Sequence, residues 1–451
     1  MKQVLVLGAG QSSPYLIHRL LDMAVPHDWQ VTVGDLDAEL ARERVGDHPR
    51  GRAILFDVTD EAVRSSAIAA SDVVINMLSP TFQDLVAWDC VAHGRHMLSV
   101  SYRDRAVRDL DRDARRKGVL LLCELGLDPG IDHMSAVSVI RRVKAEGGII
   151  RAFRSYGSGI PAPGQETNPL RYVVTWNPRN VVMASEHGAQ YMEAGKIKLV
   201  PWHHVFHHTW PVEVEGVGTL EAYPNRDSVA YRDVFGLDDV HTMIRGTLRY
   251  PGWSETWARI VQLGIPNEDL RIPHLCRRTY REVTEMFLPM TYVDERTEER
   301  VARFLHISPT GAIMEKLTWL GIFSDEVIGC HGDTPAAMLI HLLQEKLAMR
   351  PDVRDMVILR HELEVEHPGR EDYRVTSTLL AEGEPGGFTA MARTVGLPVA
   401  VATRLLLTGE LDLAGSVLPT HPSLYEPVLR AVGEEGMAFE ERRQPLAYAG
   451  T

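Results

Sequence analysis

Cysteine is scarce in this chain. Its 451 residues include only Cys90, Cys123, Cys276 and Cys330. These four lie far apart in the sequence and form none of the short spacings that are typical of zinc sites or redox pairs. We therefore expect reduced thiols in a cytoplasmic protein without a metal site.

Positive charge and long apolar runs are also sparse. The chain has 48 lysines and arginines against 61 acidic residues, a formal net charge of −13. The negative net charge disfavours nucleic acid or an anionic membrane as the main partner. It leaves open a local basic pocket for an anionic small molecule. The N-terminal apolar run ends at Gly8, which is too short for a signal peptide. We expect no segment with the length of a transmembrane helix.

The first 130 residues alternate short apolar runs with helical patterns. The candidate strands are Gln3–Leu7, Gln30–Gly34, Arg52–Phe56, Val73–Met77, His96–Ser99 and Val119–Cys123, and two of the helices between them are Ser13–Met23 and Thr81–His93. This alternation predicts an α/β fold with a Rossmann-type parallel sheet covered by helices.

The pattern changes after His133. Longer candidate strands are Ile149–Tyr156, Val173–Trp176, Leu220–Ala222 and Met356–His367, the last with a period of two that favours an antiparallel strand. Since 451 residues exceed one core, we expect a dinucleotide-binding domain of residues 1–133 completed by 390–451. A second α/β domain with an antiparallel sheet would span 134–245 and 336–389, with a helical insert at 246–335. The active site is expected in the cleft between the first two domains.

A phosphate-binding loop follows the first candidate strand. Gly8 permits a tight turn, Gly10 lets the backbone approach a pyrophosphate, and Ser13 replaces the third glycine of the usual fingerprint. The amide groups at the start of the next helix add partial positive charge. Together they predict a dinucleotide site.

Acidic and polar residues end the next strands. Asp35 ends the second strand, where a carboxylate accepts hydrogen bonds from the ribose and repels a 2′-phosphate, so we expect NAD, with NADP still open. Asp57 and Val58 would flank the adenine. Asn76, at the end of the fourth strand, would lie near the nicotinamide.

Residues 124–133 form a turn with several ionisable side chains at the end of a predicted strand. Glu124, Asp128, Asp132 and His133 surround Pro129-Gly130. Polar groups at this edge of a parallel sheet usually meet ligand. We expect Asp128 to face the site and Asp132 to cap the following helix.

These motifs, with others in a fixed order, resemble a known family. The blocks are the phosphate loop, Ser99-Val100-Ser101-Tyr102, residues 126–133, Asn168-Pro169-Leu170, Thr175-Trp176-Asn177-Pro178, Pro224-Asn225-Arg226, Arg245 to Tyr250, Arg354 to Val357 and Met391 to Pro398. The chain resembles saccharopine dehydrogenases of the glutamate-forming type, including the dehydrogenase half of the animal bifunctional lysine-degrading enzyme, nearly end to end.

The resemblance implies a reaction and a site. A small-molecule substrate, saccharopine, would lose a hydride from the lysine-derived carbon, and hydrolysis of the imine would give glutamate and 2-aminoadipate 6-semialdehyde. Substrate contacts are implied at Ser101, Tyr102, Asp128, Arg226, Gly246, Thr247 and Leu248. Cofactor contacts are implied at Gly10, Gln11, Ser12, Ser13, Asp35, Asp57, Val58, Ile75, Ser99, Ser101, Leu127, Asp128, Pro129 and Trp176.

The substrate's charges and proton transfers suggest further roles. Saccharopine has three carboxylates, and Arg226, Arg245 and Arg249 could each grip one through paired hydrogen bonds. Asp128 and Tyr102 are the candidates for moving protons. Family members often carry a cysteine where this chain has Gly157, so a thiol role there would be absent or fall to water or Ser158.

Two other functions stay open. One is a related amine dehydrogenase or imine reductase, similar to carboxynorspermidine synthase or lysine 6-dehydrogenase. The other is a non-catalytic dinucleotide-binding protein. The chain would act in lysine metabolism under the first interpretation, and the sequence leaves open whether it forms a homodimer.

Overall fold

The computed structural model describes residues 1–290 and 294–446. The chain folds as two compact units. Unit 1 comprises residues 1–150 and 356–451, and unit 2 comprises residues 151–355. The three-part division expected from the sequence stays a prediction, and residues 447–451 of its first domain lie outside the described residues.

The secondary structure alternates in the first third and is mixed thereafter. The strands are β1 Lys2–Leu7, β2 Trp29–Asp35, β3 Gly51–Leu55, β4 Val73–Asn76, β5 His96–Ser99, β6 Leu120–Leu122, β7 Ile149–Pro161, β8 Ala189–Glu193, β9 Lys196–Val200, β10 Trp210–Val214, β11 Gly218–Pro224, β12 Thr242–Arg249, β13 Asp355–Glu366, β14 Tyr373–Glu382, β15 Gly415–Val417 and β16 Glu440–Pro445. The helices are α1 Pro14–Ala24, α2 Ala38–Val45, α3 Glu61–Ala69, α4 Gln83–His93, α5 Arg105–Asp109, α6 Asp111–Lys117, α7 Ile131–Ala145, α8 Pro178–Val182, α9 Tyr231–Val234, α10 Trp253–Leu263, α11 Tyr280–Met286, α12 Thr297–Phe304, α13 Ala312–Leu320, α14 Pro335–Lys346, α15 Ala390–Leu407 and α16 Pro422–Glu434.

Unit 1 is built on a seven-stranded sheet. Its order is β15-β6-β5-β4-β1-β2-β3, and all its strand pairs are parallel. The central strands β1, β4 and β6 are almost wholly buried, as expected for a parallel sheet covered on both faces. The C-terminal segment contributes β15, so the prediction of a Rossmann-type sheet completed by that segment is confirmed.

A second group of elements completes unit 1. Strands β13, β14 and β16 pair antiparallel, and β13 alternates buried and half-buried residues from Leu359 to Glu366. Helix α15 packs against α1 and α16. Among the described residues it is the one helix long and apolar enough to cross a membrane, so the expectation of no such segment was wrong by length and composition. It is 78% buried in the structure, as a core helix would be.

Unit 2 has a mixed sheet rather than the antiparallel sheet we predicted. Strands β10, β11 and β12 pair antiparallel, but β12 pairs parallel with β7. The β8–β9 hairpin joins β12 at one residue pair. Helices α10 to α13 follow β12 within residues 246–335, the range predicted for the helical insert. Helix α14 begins at the end of that range.

One predicted strand of unit 2 does not form. Residues Val173–Trp176 make only an isolated bridge, between Val174 and Ala348. The Asn168 side chain bonds the Tyr172 carbonyl oxygen at 2.7 Å on one side of the segment. On the other side, Asn177 caps α8. The segment is therefore held between a turn and a helix, and its apolar residues are buried without a partner strand.

The α1–α15 packing predicts unequal effects of two glycine substitutions. A Cβ on Gly396 of α15 would lie 2.7 Å from the Leu16 backbone nitrogen, whereas one on Gly433 of α16 would meet nothing within 4 Å. Gly396→Ala should destabilise the protein by about 1–3 kcal/mol, and Gly433→Ala should be neutral or stabilising by up to about 1 kcal/mol. Thermal unfolding of both variants checks this; equal melting temperatures would contradict the packing.

Candidate active site

The phosphate loop joins β1 to α1 and depends on two glycines in different ways. Gly8 has φ +104°, and a Cβ there would lie 3.2 Å from the Met77 carbonyl group. A Cβ on Gly10 would meet nothing within 4 Å. Gly8 is therefore required by the backbone, while Gly10 leaves open space beside the N-terminus of α1, where a pyrophosphate would be bound.

Ser13 takes the place of the third glycine without disturbing the loop. It is buried, and its hydroxyl donates to the Gly10 carbonyl at 2.8 Å. Gln11 is exposed and Ser12 half-buried, so both remain near the open side of the loop. The residues present fit a dinucleotide.

Asp35 fixes the loop from the end of β2. Its carboxylate accepts the Ala9 amide at 2.7 Å and the Asp37 amide at 2.9 Å. A carboxylate has about four acceptor positions, so two remain for ribose hydroxyls. Leu36, next along the chain, exposes 70% of its side chain, which leaves an apolar surface beside this position.

Asp57 and Val58 follow β3. Asp57 is exposed, and hydrogen bonds from the Thr59 hydroxyl and amide hold the pKa of its carboxyl below its usual value. Val58 is buried. Arg44 donates to the Ala9 carbonyl at 3.3 Å but also pairs with Glu43. Asp57 therefore adds a carboxylate after β3, and the Arg44 cation beside the phosphate loop is already paired with Glu43.

Asn76 is an unusual buried amide at the end of β4. It is fully buried, its Oδ1 accepts the Leu78 amide at 3.2 Å, and its Nδ2 has no partner among the described residues. A buried donor without a partner is costly, so this position is suited to an acceptor on a ligand. Ile75 beside it is fully buried.

The segment after β5 carries Ser99, Ser101 and Tyr102. The Ser99 hydroxyl donates to Gln83 Oε1 at 2.5 Å and accepts the Ser101 amide at 3.2 Å. Gln83 also donates to the Tyr102 carbonyl at 2.8 Å. Tyr102 is half-buried. Its backbone is therefore held on both sides while its ring is partly accessible.

The turn at 126–130 is compact. The Gly126 amide donates to the Pro129 carbonyl, and the Ile131 amide donates back to the Gly126 carbonyl, each at 2.9 Å. A Cβ on Gly130 would overlap the Gly126 backbone at 1.9 Å. The Asp128–Pro129 peptide bond is cis. Asp128 is half-buried, whereas Leu127 and Pro129 are buried, so Asp128 is the more accessible side chain of the three.

Three ionisable side chains form a buried cluster behind this turn. His133 Nε2 lies 2.7 Å from Glu124 Oε2, and His133 Nδ1 lies 3.1 Å from Asp132 Oδ2. All three side chains are at most 5% exposed. The sequence assigned no role to Glu124, because its partner His133 comes into contact with it only when α7 packs against the end of β6.

The prediction that Asp132 is a helix cap was wrong. Helix α7 begins at Ile131, with Gly130 at the N-cap position. Asp132 lies in the first turn, where its Oδ1 accepts the Gly130 amide at 2.6 Å. The helix starts two residues earlier than expected because Gly130, with φ +153°, makes the chain reversal and occupies the cap position.

Unit 2 carries the predicted cations on and beside β12. Arg245 is buried, with its guanidinium carbon 4.5 Å from the centre of the Tyr231 ring. Arg226 is exposed, has φ +50°, and follows the end of β11, where Pro224 pairs with Gly246. A Cβ on Gly246 would lie 3.1 Å from the Tyr156 ring. Leu248 is buried and Thr247 half-buried.

Arg249 is the most unusual of these cations. It is 5% exposed, and its Nη1 donates to the Leu248 carbonyl at 2.9 Å. Its guanidinium carbon lies 5.0 Å from the Tyr172 ring and 5.7 Å from the Trp253 ring. Its Nε has no partner, and no carboxylate pairs with it among the described residues. A buried charge without a counter-ion is strongly unfavourable, so this position is suited to an anionic ligand.

Aromatic residues and a lysine surround this part of unit 2. Trp176 Nε1 donates to the Tyr172 hydroxyl at 3.1 Å, so Trp176, predicted to contact the cofactor, joins the aromatic cluster around Arg249. Lys316 donates to the Gly252 carbonyl at 3.0 Å, and burial lowers its pKa. Tyr172, Trp253 and Lys316 were not recognised from the sequence, because none belongs to a motif and the chain brings them together only on folding.

The glycine at 157 lies directly opposite Thr247 in the β7–β12 pair. The next residue, Ser158, donates its hydroxyl to the Leu248 carbonyl at 2.7 Å. Neighbouring residues along a strand point to opposite faces, so Ser158 does not occupy the place of a side chain at 157.

The histidines at 203, 204, 207 and 208 lie on or beside a short 3₁₀ helix, Trp202–His207. Among the described residues, no group of three or more histidine, cysteine or acidic side chains is placed to hold a metal ion.

Comparisons with known proteins match both parts of the chain. Residues 4–122 match the profile described as saccharopine dehydrogenase NADP binding domain, and residues 126–437 match saccharopine dehydrogenase C-terminal domain. The chain belongs to the saccharopine dehydrogenase family. Its first part is therefore an NAD(P)-binding domain of an oxidoreductase family.

Relatives in this family align along nearly the whole chain. Saccharopine dehydrogenase [NADP(+), L-glutamate-forming] of Schizosaccharomyces pombe is 31% identical over 98% of this chain and 99% of the relative. Mitochondrial alpha-aminoadipic semialdehyde synthase of Bos taurus is 33% identical over 97% of this chain, which spans 47% of that protein. The apo saccharopine dehydrogenase (L-Glu forming) structure from Saccharomyces cerevisiae is 30% identical, with a TM-score of 0.84, over 98% of this chain and 100% of that one.

The two loop glycines predict separable effects on binding and stability. Gly10→Ala should leave the melting temperature nearly unchanged and weaken dinucleotide binding by about ten-fold or more, because the new methyl occupies the space for the pyrophosphate. Gly8→Ala should lower the melting temperature as well, because its backbone conformation disfavours a side chain. Fluorescence titration with NADH and NADPH, beside thermal unfolding, checks both. A Gly10→Ala variant with wild-type affinity would remove this loop from the site.

Proposed function

We propose that this chain is an NAD(P)-dependent, glutamate-forming saccharopine dehydrogenase acting in lysine metabolism. Two yeast relatives that align over 99% of their length are saccharopine dehydrogenases [NADP(+), L-glutamate-forming], which supports the activity. The observation that carries the proposal is the buried Arg249 guanidinium without a carboxylate partner among the described residues. A buried guanidinium without a counter-ion favours binding of an anionic ligand, and saccharopine carries three carboxylates.

The groups of unit 1 suit the oxidation of a secondary amine. When bound, the dinucleotide would accept a hydride from the lysine-derived carbon of saccharopine. Asp128 or Tyr102 would take the proton from the substrate nitrogen, so that its lone pair can form the imine as hydride leaves. The same groups would then deprotonate the water that adds to the imine carbon, and return a proton to nitrogen as the C–N bond breaks to release glutamate.

The cations of unit 2 suit the carboxylates of this substrate. Arg249 would bind one carboxylate through paired hydrogen bonds, and Arg226 and Arg245 would bind others. The backbone at Gly246, Thr247 and Leu248 would bound the same pocket, and the close packing at Gly246 leaves no room for a side chain there. The cytoplasmic location and a homodimer stay predictions.

For the cofactor we propose a preference for NAD over NADP. The matched domain and the yeast relatives are named for NADP, and that supports the dinucleotide class. The Asp35 carboxylate, bonded to the Ala9 amide of the phosphate loop, would face a 2′-phosphate, and Asp37 follows on the same loop after β2. Arg44, the cation bonded to the loop, pairs with Glu43. Such a surface repels the additional phosphate.

An activity assay tests the proposal. The purified protein is mixed with NAD or NADP and one of three amines: saccharopine, lysine or carboxynorspermidine. Reduced nicotinamide should form with saccharopine alone, in equal amount to glutamate. Turnover of lysine or carboxynorspermidine instead would assign a related amine dehydrogenase, and cofactor binding without turnover of any of them would assign a non-catalytic role.

Removing the charge of Asp35 should change cofactor choice. Asp35→Ala should weaken NAD binding by about ten-fold, as loss of a charge-assisted hydrogen bond does, and raise the affinity for NADP relative to NAD. Asp35→Asn keeps an acceptor for the Ala9 amide, so it separates the effect of charge from the shape of the loop. The measurement is the ratio of NADP to NAD dissociation constants, and an unchanged ratio in both variants would refute this role.

Removing the substrate cations should affect saccharopine and leave the cofactor alone. Arg249→Met keeps the length of the side chain and should raise the KM for saccharopine by about 10–100-fold, the range for a charge-assisted pair. Arg226→Ala should raise KM or lower kcat. Arg259→Met on α10 is the control, since among the described residues Arg259 donates to Gln262 of the same helix. Steady-state kinetics checks all three, and a wild-type profile would remove that arginine from the site.

A further inference from the structure

The buried cluster of Glu124, His133 and Asp132 has no part in the chemistry proposed above. Its histidine is fully buried, and the two carboxylates lie at its two ring nitrogens. His133 Nε2 hydrogen-bonds Glu124 Oε2 at 2.7 Å, and Nδ1 faces Asp132 Oδ2 at an ion-pair distance of 3.1 Å. The cluster therefore places three ionisable side chains together away from water.

Glu124 connects this cluster to the Tyr102 segment. Its Oε1 accepts the Arg103 amide at 3.0 Å, and its own amide donates to the Ser101 carbonyl at 3.0 Å. Its φ is +61°, in the left-handed region that glutamate seldom adopts. A residue stays in such a conformation only where its surroundings hold it, and here the Glu124 side chain is held by His133.

Asp132 connects the same cluster to the Asp128 turn. Its Oδ1 accepts the Gly130 amide at 2.6 Å, while its backbone amide donates to the Leu127 carbonyl at 3.0 Å. These bonds fix both ends of the segment that presents Asp128. His133 itself extends from the first turn of α7, so its position is set by the helix.

We propose that His133 is a positioning residue that locks the Tyr102 segment and the Asp128 turn to each other through Glu124 and Asp132. This rests on the proposed function, in which those two side chains move protons. Since a proton donor and acceptor must be held within hydrogen-bonding reach of the reacting atoms, loosening either segment lowers the rate of chemistry more than it lowers cofactor affinity.

A matched pair of buried histidines makes the test specific. His361 is also fully buried, and it bonds Ser135 of α7 at 2.8 Å. It therefore contacts the same helix, α7, from β13. His133→Gln removes the imidazole that lies between the two carboxylates, whereas His361→Gln removes an imidazole that lies against the same helix.

The first measurement is hydrogen–deuterium exchange of the full chain without ligand, which does not depend on activity. We expect faster exchange in both residues 100–104 and 125–131 of His133→Gln. In His361→Gln the increase should be confined to α7 and β13. Unchanged exchange in either loop of His133→Gln, or the same pattern in both variants, would overturn the proposal.

The second measurement is steady-state kinetics with saccharopine. His133→Gln should lower kcat by about ten-fold or more, a larger factor than the change in the dinucleotide dissociation constant, and His361→Gln should keep kcat within about two-fold. Equal losses of kcat in both variants would overturn the positioning role. If the wild-type protein does not turn over saccharopine, the proposed function fails while the exchange result still decides whether His133 locks the loops.

A second variant covers the case in which His133→Gln does not fold. Asp132→Asn keeps an acceptor for the Gly130 amide and replaces the carboxylate beside His133 Nδ1 with a neutral amide. It should loosen the same two segments by a smaller amount. Loosening of residues 125–131 alone would show that the two loops are not coupled through His133, and would overturn the proposal.

Discussion

The buried contact of one imidazole with two carboxylates determines how this chain leaves its dinucleotide-binding sheet. Strand β6 ends at Leu122, and within ten residues the chain makes a left-handed step at Glu124, closes a tight turn and starts α7. His133 lies against Glu124 before that turn and Asp132 after it. Because each carboxylate also holds a backbone amide of a neighbouring loop, the loops that carry Tyr102 and Asp128 share one anchor.

Much of unit 1 could be predicted, because each of its parallel strands is short, apolar and bounded by turn residues. Strand β5 was predicted with its observed bounds, His96–Ser99. Errors arose where tertiary contacts outweigh local pattern. Val173–Trp176 is as apolar as a strand but is buried between a turn and a helix, and the parallel pairing of β12 with β7 depends on residues about ninety positions apart that no local period reveals.

The residue types of the site could be predicted from the sequence, but the contacts between those residues could be predicted less well. The phosphate loop, Asp35 and the arginines of β12 could be named because a motif or a charge requirement points to each. The isolation of Arg249 among aromatic rings could not, since Tyr172 and Trp253 reach it only in the folded unit. Likewise, nothing in the sequence distinguishes Glu124 from other acidic residues that follow a strand, because only the folded chain places His133 against it. Asp132 was assigned to the helix cap because the sequence does not show that Gly130 already makes the chain reversal.

The central claim is that this chain oxidises saccharopine at the carbon derived from the lysine side chain. Saccharopine labelled with two deuterium atoms at that carbon tests the claim directly, with mass spectrometry of the reduced cofactor and of the released amino acid. The account predicts one deuterium on the reduced nicotinamide for every unlabelled glutamate released, with the second deuterium retained in the semialdehyde. Unlabelled reduced cofactor, formed together with deuterated lysine, would place the oxidation on the glutamate side of the nitrogen and contradict the account.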